Sequence, residues 1–340
     1  MNDGGLRLYD LDRQSLESYL TGLGEPSYRA EQVWEWLYVH LASSFDEMTN
    51  LPESLRDTLA QQTTLQLLQV VETARSPDRK TRKDLLRLLD GETIEAVLMR
   101  YERRRTACLS TQVGCAMGCP FCATGQMGFR RDLSSGEIVA QALHFARHLQ
   151  GEDERLTNVV LMGMGEPLAN YDASLDAILR LSHPKGFRLG QRHITLSTVG
   201  LVPEIHRLAE ERLQITLAVS LHAATNDLRD RLVPVNRRYP LDVLLDACAA
   251  YADDTGRRVS FEWALIAGVN DGPEQAHALA DRVEGLLAHV NLIPLNPSPE
   301  CGFRGSTKNQ VDAFAQVLEQ RGVAYTIRVR RGAAIRAGCG

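Results

Sequence analysis

The sequence predicts an α/β chain: a partial (βα)6 TIM-like barrel, open on one side, behind a small helical N-terminal domain. Three observations carry that expectation. After residue 92, short β-rich runs alternate with longer amphipathic stretches, as parallel strands joined by helical crossovers require. Six strand–helix units and a closing strand can be counted from residue 106, two units short of a closed eight-stranded barrel. Residues 1 to about 90 show helical periodicity instead.

In order along the chain, "RQSLESYLTGLGEPSYRAEQVWEWLYVHL" spaces Val33, Trp36, Leu37 and His40 at helical intervals, broken at the Gly24-Glu25-Pro26 turn. Trp34 and Trp36 are expected in the core. "MTNLPESLRDTLAQQ" offers Asn50 as the N-cap of a further helix. Strands are expected at 93–101, 106–112, 158–162, 192–198, 214–221, 258–265, 289–295 and 323–329. Helices should start at Ser134, with Glu137 three residues on, and at Thr307 with Gln310, both capping-box patterns. The domains are therefore a helical unit over 1–90 and a barrel with a C-terminal tail over 91–340.

Composition restricts the class. With 44% hydrophobic and 24% charged residues the chain is globular, and no apolar run approaches bilayer length. The first residues lack a basic and an apolar segment of the secretory kind, so a cytoplasmic, membrane-free protein is expected. In that compartment seven cysteines read as metal-binding, redox or buried groups. The net charge of −5 argues against a general nucleic-acid binder. Basic runs at Arg79–Lys83, Arg103–Arg105 and Arg328–Arg331 nevertheless predict a polyanion, met on one face together with the barrel mouth.

"GCAMGCPFCATG" holds the chemistry. Cys115, Cys119 and Cys122 follow a predicted strand directly, on the face where barrels of this kind keep their active sites. A structural zinc would need four protein ligands, and there is no second C-x2-C pair. A [4Fe–4S] cube held by three thiolates leaves one iron open for a substrate. This spacing, with Phe121 before the last cysteine, resembles the radical S-adenosylmethionine (SAM) enzymes, and the resemblance implies SAM chelated at the open iron. Other strand ends supply a matching pocket. In "GMGEPL", Gly163 and Gly165 allow close backbone approach, while Glu166 suits the SAM ammonium. Leu168 stands where a dinucleotide fingerprint would need glycine. Ser197, the run Ser220, Leu221 and His222, and Asn296 lie at further strand C-termini.

Taken together, "ACLSTQVGCAMGCPFCATG", "LMGMGEPL", "ITLSTVG", "LAVSLHA", "LIPLNP" and the terminal "AGCG" resemble the RlmN family of dual-specificity RNA methyltransferases. "GEPSYRAEQVWEWLY" and "FDEMTNLPESLR" resemble that family's helical RNA-binding domain. The resemblance implies methylation at carbon 2 of adenosine, at position 2503 of 23S ribosomal RNA and position 37 of certain transfer RNAs. It implies two SAM molecules per turnover and a flavodoxin as reductant; a monomer is expected. It also implies roles for residues outside the cluster. Cys339 would take a methyl group from a first SAM. The radical from a second SAM would abstract hydrogen from that S-methyl, and the methylene radical would add to carbon 2. Glu95 would accept the carbon 2 proton. Cys108 would attack the Cys339 sulfur, releasing the base and leaving a Cys108–Cys339 disulfide. Cys248 is expected to pack and Cys301 to have no role. Methylation at carbon 8 of the same adenosine, a non-catalytic iron–sulfur RNA-binding protein and a glycyl-radical activase are the competing readings.

Overall fold

The computed structural model of the protein describes residues 5–296, 301–328 and 332–335. Its centre is a ten-stranded sheet. In chain order the strands are β1 (Leu68–Arg75), β2 (Thr81–Leu88), β3 (Thr93–Arg100), β4 (Arg105–Cys108), β5 (Asn158–Leu161), β6 (Ile194–Thr198), β7 (Thr216–Ser220), β8 (Val259–Leu265), β9 (Ala288–Pro294) and β10 (Tyr325–Ile327). Their order in space is their order in the chain. Strands β4 to β10 are parallel, and β1 to β4 are antiparallel.

That order decides the architecture. A doubly wound sheet reverses direction at a switch point, and this sheet never does. Right-handed crossovers that always step the same way put every connecting helix on one face, so the sheet curls into a barrel wall. With β1 and β10 as its edges, the barrel is open, as expected. Capping boxes start the helices Ser135–Gln150 and Lys308–Gln320 at Ser134 and Thr307, as their sequences predict.

The expected helical unit is helical only as far as Gln62, in the helices Arg13–Gly22, Tyr28–Tyr38 and Glu53–Gln62. Residues 68–88 are strands β1 and β2, which lengthen the barrel sheet. Periodicity missed them because β1 is almost wholly exposed and so carries no alternation. Strand β2 hides charges in a half-buried sheet by pairing them. Nor do the helices stand apart, since Trp34 and Tyr38 share one continuous core with Phe145 and Ile178. Arg180, nearly buried, donates to the carbonyls of Tyr9 and Asp10 and pairs with Asp176. The Gly136 amide donates to Asp10 Oδ1 at 3.0 Å, and a Cβ on Gly136 would meet the Tyr9 carbonyl at 2.6 Å. Trp34 is buried, but Trp36 is only half-buried and donates to Asn50 Oδ1 at 2.6 Å. Asn50 therefore does not cap the third helix, whose N-cap is Pro52.

Asp84 on β2 links the sheet to its covering helix. Its fully buried carboxylate accepts from Thr73 on β1 (2.7 Å) and Arg82 (2.9 Å), and contacts His144 of the covering helix (2.7 Å). Burial alone would raise its pKa, but the hydrogen bonds from His144, Arg82 and Thr73 outweigh that and hold it at about 2, below the ordinary 3.8. Because the folded value is the lower one, this contribution to stability is present above pH 3.8 and is lost as pH falls through about 2. Asp84→Ala should cost about 3–5 kcal/mol, since it leaves buried partners uncompensated. Denaturant unfolding at neutral pH checks this. The variant should also lose the part of the acid sensitivity that Asp84 supplies.

Candidate active site

Strand alternation separates the sheet's two faces. Asp84, Ala96 and Ala107 lie under the helices, as the Asp84–His144 contact shows. The opposite, interior face receives their neighbours. Register aligns Lys83 with Val97, Val97 with Cys108, and Cys108 with Val160 across β2, β3, β4 and β5. Glu95, two residues from Val97, shares this face. So do Ser197 on β6 and Ser220 on β7, which continue the same alternation.

The expected strand 106–112 divides. Strand β4 ends at Cys108, and Gln112–Gly114 pairs instead with Phe129–Asp132 in a separate two-stranded ribbon. That ribbon frames the cysteine loop. Gly114 closes it with a φ of 76°, and a Cβ there would sit 1.8 Å from the Gly128 carbonyl oxygen. Cys115 and Cys119 are buried, and Cys122 is half-buried. Burial raises Cys115 to about 11, with Glu166 and Cys122 adding to the rise. Burial, then Cys122, Cys115 and Glu166, raises Cys119 to about 12. The thiols are close enough to oppose one another's ionisation, as a cluster of thiolate ligands awaiting a cation would be. Among the described residues, no three His, Cys, Asp or Glu side chains converge on one metal ion. A structural zinc takes four protein ligands, whereas a cube is held by three thiolates with one iron left open. The donor set fits the cube.

The loop after β5 seats against the chain entering the cysteine loop. The Met164 carbonyl accepts from the amides of Thr111 (2.8 Å) and Gln112 (3.2 Å), and Gln112 Oε1 accepts from the Glu166 amide (2.8 Å). Gly165 has a φ of 104°, and a Cβ there would lie 2.6 Å from Gln112 Cβ. The buried Glu166 carboxylate accepts from the amides of Leu168 (3.1 Å) and Val199 (2.8 Å), joining the loops after β5 and β6. Burial raises its pKa to about 7 against those hydrogen bonds. With Thr198 as a third donor, the carboxylate keeps acceptor capacity for one more.

The remaining predicted residues fall at neighbouring strand ends. Ser197 donates to the Leu161 carbonyl at 2.6 Å. The Leu221 amide donates to the Glu262 carbonyl at 3.0 Å. His222 is buried in the left-handed region, with φ at 59°. Its Nδ1 accepts from the Ala264 amide at 3.0 Å, so the ring proton sits on Nε2. Burial, reinforced by Arg229, lowers its pKa to about 3 and keeps it neutral. Its ring meets Phe121 of the cysteine loop edge-on at 4.9 Å. The half-buried Asn296 has an Oδ1 shut off from solvent with no hydrogen-bond partner, an acceptor left open for a ligand. Cys339 lies outside the described residues. Cys248 is buried in the core, as expected.

Sequence reasoning missed Arg229. Fully buried, it donates to the carbonyls of Leu221 (3.1 Å), Val199 (2.7 Å) and Ser220 (3.1 Å) and to Asn236 Oδ1 (3.0 Å). It ties the loops after β6 and β7 together behind the site. Only its position beside the buried Leu228, on the apolar side of a short helix, could have marked it.

The basic runs require a correction. Arg79 and Lys80 sit in the β1–β2 turn and Arg103 and Arg104 in the β3–β4 turn, at the N-terminal ends of the parallel strands. The cysteine loop leaves their C-terminal ends, so these two runs face away from it. Three of the cations are internally paired: Arg82 with Asp84, Lys83 with Glu95, and Arg105 with Glu154. Of the third run, Arg328 pairs with Glu262 at 3.2 Å, and residues 329–331 lie outside the described residues.

Comparison with known proteins adds to this geometry. Residues 6–65 match the Ribosomal RNA large subunit methyltransferase N-terminal domain, and residues 109–280 match the Radical SAM superfamily. The chain is 51% identical over its full length to the Dual-specificity RNA methyltransferase RlmN 1 of Myxococcus xanthus, covering 94% of that protein. The chain belongs to the RlmN family. A probable RlmN of Moorella thermoacetica is 49% identical over 96% of this chain and 94% of that protein. A crystal structure of a radical SAM methyltransferase from Sphaerobacter thermophilus superposes with a TM-score of 0.96, at 49% identity and 98% coverage of both chains. The partial barrel is thus the radical SAM fold of the RlmN family. No helix among the described residues is long and apolar enough to cross a membrane.

Arg229→Met should destabilise this RlmN-family chain by at least about 3 kcal/mol, because several buried acceptors lose their donor. Denaturant unfolding measures it, with Cys248→Ala as a core control expected to cost less.

Proposed function

We propose that the chain methylates carbon 2 of adenosine, in adenosine 2503 of 23S ribosomal RNA and adenosine 37 of transfer RNAs. One observation supports this most: Cys108 and Glu95 share the interior face of adjacent strands, beside the chain entering the three-cysteine loop. A plain iron–sulfur RNA-binding protein has no use for a thiol and a carboxylate there.

Cys115, Cys119 and Cys122 would each ligate one iron of a single [4Fe–4S] cube. Glu166, Gly165, Ser197, Ser220, Leu221, His222 and Asn296 would hold SAM: Glu166 through its remaining acceptor capacity, His222 as a neutral Nε2 donor, and Asn296 through its open Oδ1. When bound, the cluster and SAM supply a methyl group and a 5′-deoxyadenosyl radical. The chain's own residues do the rest. Cys339 carries the methyl group to carbon 2, an electron-poor position between two ring nitrogens that cannot attack an electrophilic methyl by itself. Glu95 accepts the carbon 2 proton. Cys108, as thiolate, attacks the Cys339 sulfur and leaves a disulfide; the methylene carbon departs with the bonding pair, delocalised into the adenine ring, and takes up a proton from water to become the methyl group. The target base must leave its stack to reach this face, so a loop adenosine is the expected substrate. A flavodoxin-type reductant, a monomeric state and a cytoplasmic setting complete the reading.

Cys119→Ala should purify without a full complement of iron and fail to cleave SAM, as iron analysis and 5′-deoxyadenosine release would show. Cys108→Ala should cleave SAM, join to RNA and stop there. A denaturing gel should then show a protein–RNA band that needs SAM and reductant. Normal turnover in Cys108→Ala would rule out the resolving thiol.

A further inference from the structure

The basic run on β2 does not act as one surface. Arg82 and Asp84 face the covering helix, and Lys83, between them, is the charge that alternation turns to the barrel interior. Lys83 Nζ donates to Glu95 Oε1 at 2.7 Å, diagonally across the β2–β3 pair. The Lys83 side chain is 16% exposed and that of Glu95 43% exposed. The ammonium is therefore the more enclosed partner, and the carboxylate keeps an open side towards the interior.

The backbone of Glu95 is fixed as firmly. Ser110 Oγ donates to the Glu95 carbonyl at 2.6 Å and accepts from the Met164 amide at 2.9 Å. The Glu95 amide donates to Met164 Sδ at 3.4 Å. The Ser110 amide in turn donates to Gln141 Oε1 at 2.8 Å. Three elements thus hold one residue: β2 by its carboxylate, the chain leaving β4 by its carbonyl, and the loop after β5 by its amide. A single partly exposed ion pair contributes modestly to stability and needs no such frame. A carboxylate that must meet one hydrogen of a bound base needs both its position and its rotamer set, because small misplacements cost large factors in rate.

We infer that Lys83 is a positioning residue for the methyl transfer, holding the Glu95 carboxylate at the barrel interior so that it meets the carbon 2 proton. The inference rests on the reading of Glu95 as the proton acceptor. Its role is exerted through Glu95: one carboxylate oxygen accepts the charge-assisted hydrogen bond from Lys83, and the second is left for the proton.

The test uses the full chain with its cluster reconstituted, SAM, reductant and an RNA stem-loop bearing the target adenosine. Lys83→Met should lower kcat about tenfold or more, with KM for RNA within about twofold of wild type. The protein–RNA band should accumulate, because release waits on proton loss, and 5′-deoxyadenosine should be made in excess of methylated adenosine. Lys83→Arg, which keeps a cationic donor, should recover most of the rate. Lys83→Gln carries the same test should Lys83→Met fold poorly. A rise in KM with unchanged kcat would overturn the inference and make Lys83 an RNA contact. If Glu95→Gln lowers turnover while Lys83→Met does not, the positioning role fails and the proposed function stands. If Glu95→Gln is itself silent, the acceptor role and the positioning built on it both fall.

Discussion

The site is organised around negative charge that burial forbids. Three thiols and a carboxyl lie together at the barrel mouth, and burial raises Cys115 to about 11, Cys119 to about 12 and Glu166 to about 7. The nearby imidazole of His222 is held neutral, with its pKa near 3. Left to themselves, Cys115 and Cys119 stay protonated at neutral pH. A cationic guest reverses the balance, because thiolates formed against iron are compensated where thiolates alone are not. The sulfonium and ammonium of SAM suit the same surroundings. The rest of the structure keeps these groups together: Glu166 bridges two loops, and Arg229 ties the loops after β6 and β7 behind them.

A parallel barrel wall makes this possible. Because β4 to β10 follow one another without reversal, their C-terminal ends open on one mouth, and short motifs far apart in the chain become neighbours. The antiparallel extension, β1 to β3, carries Lys83 and Glu95 on the same face as Cys108. The residues proposed to hold the cube and SAM lie on the barrel loops, while the pair proposed to handle the base's proton lies on the extension. The two parts meet at Ser110 and Met164.

Much of this was legible in the sequence, for physical reasons. The strands from 158 to 327 and the capped helices at Ser134 and Thr307 carry strong local signals, because each buries a defined face or satisfies its own end. Motifs at strand ends announced the mouth. Strands β1 and β2 were not legible: an exposed edge strand has no alternation, and β2 spends its charges on internal pairs that composition cannot distinguish from a solvated face. For the same reason Arg79–Lys83 and Arg103–Arg105 read as one surface with the mouth, when the sheet sends their turns to its other end. Arg229 was invisible because its partners are mainly backbone carbonyls brought close only by the fold.

The central claim is carbon 2 methylation of RNA adenosine, and nucleoside mass spectrometry tests it most directly. Reconstituted protein, SAM and reductant would be incubated without oxygen with a 23S ribosomal RNA fragment and with transfer RNA, and the digested nucleosides compared with authentic methyladenosine isomers. The account predicts 2-methyladenosine from both RNAs. Formation of 8-methyladenosine, or of no methyladenosine by protein that holds its cluster and cleaves SAM, would contradict it.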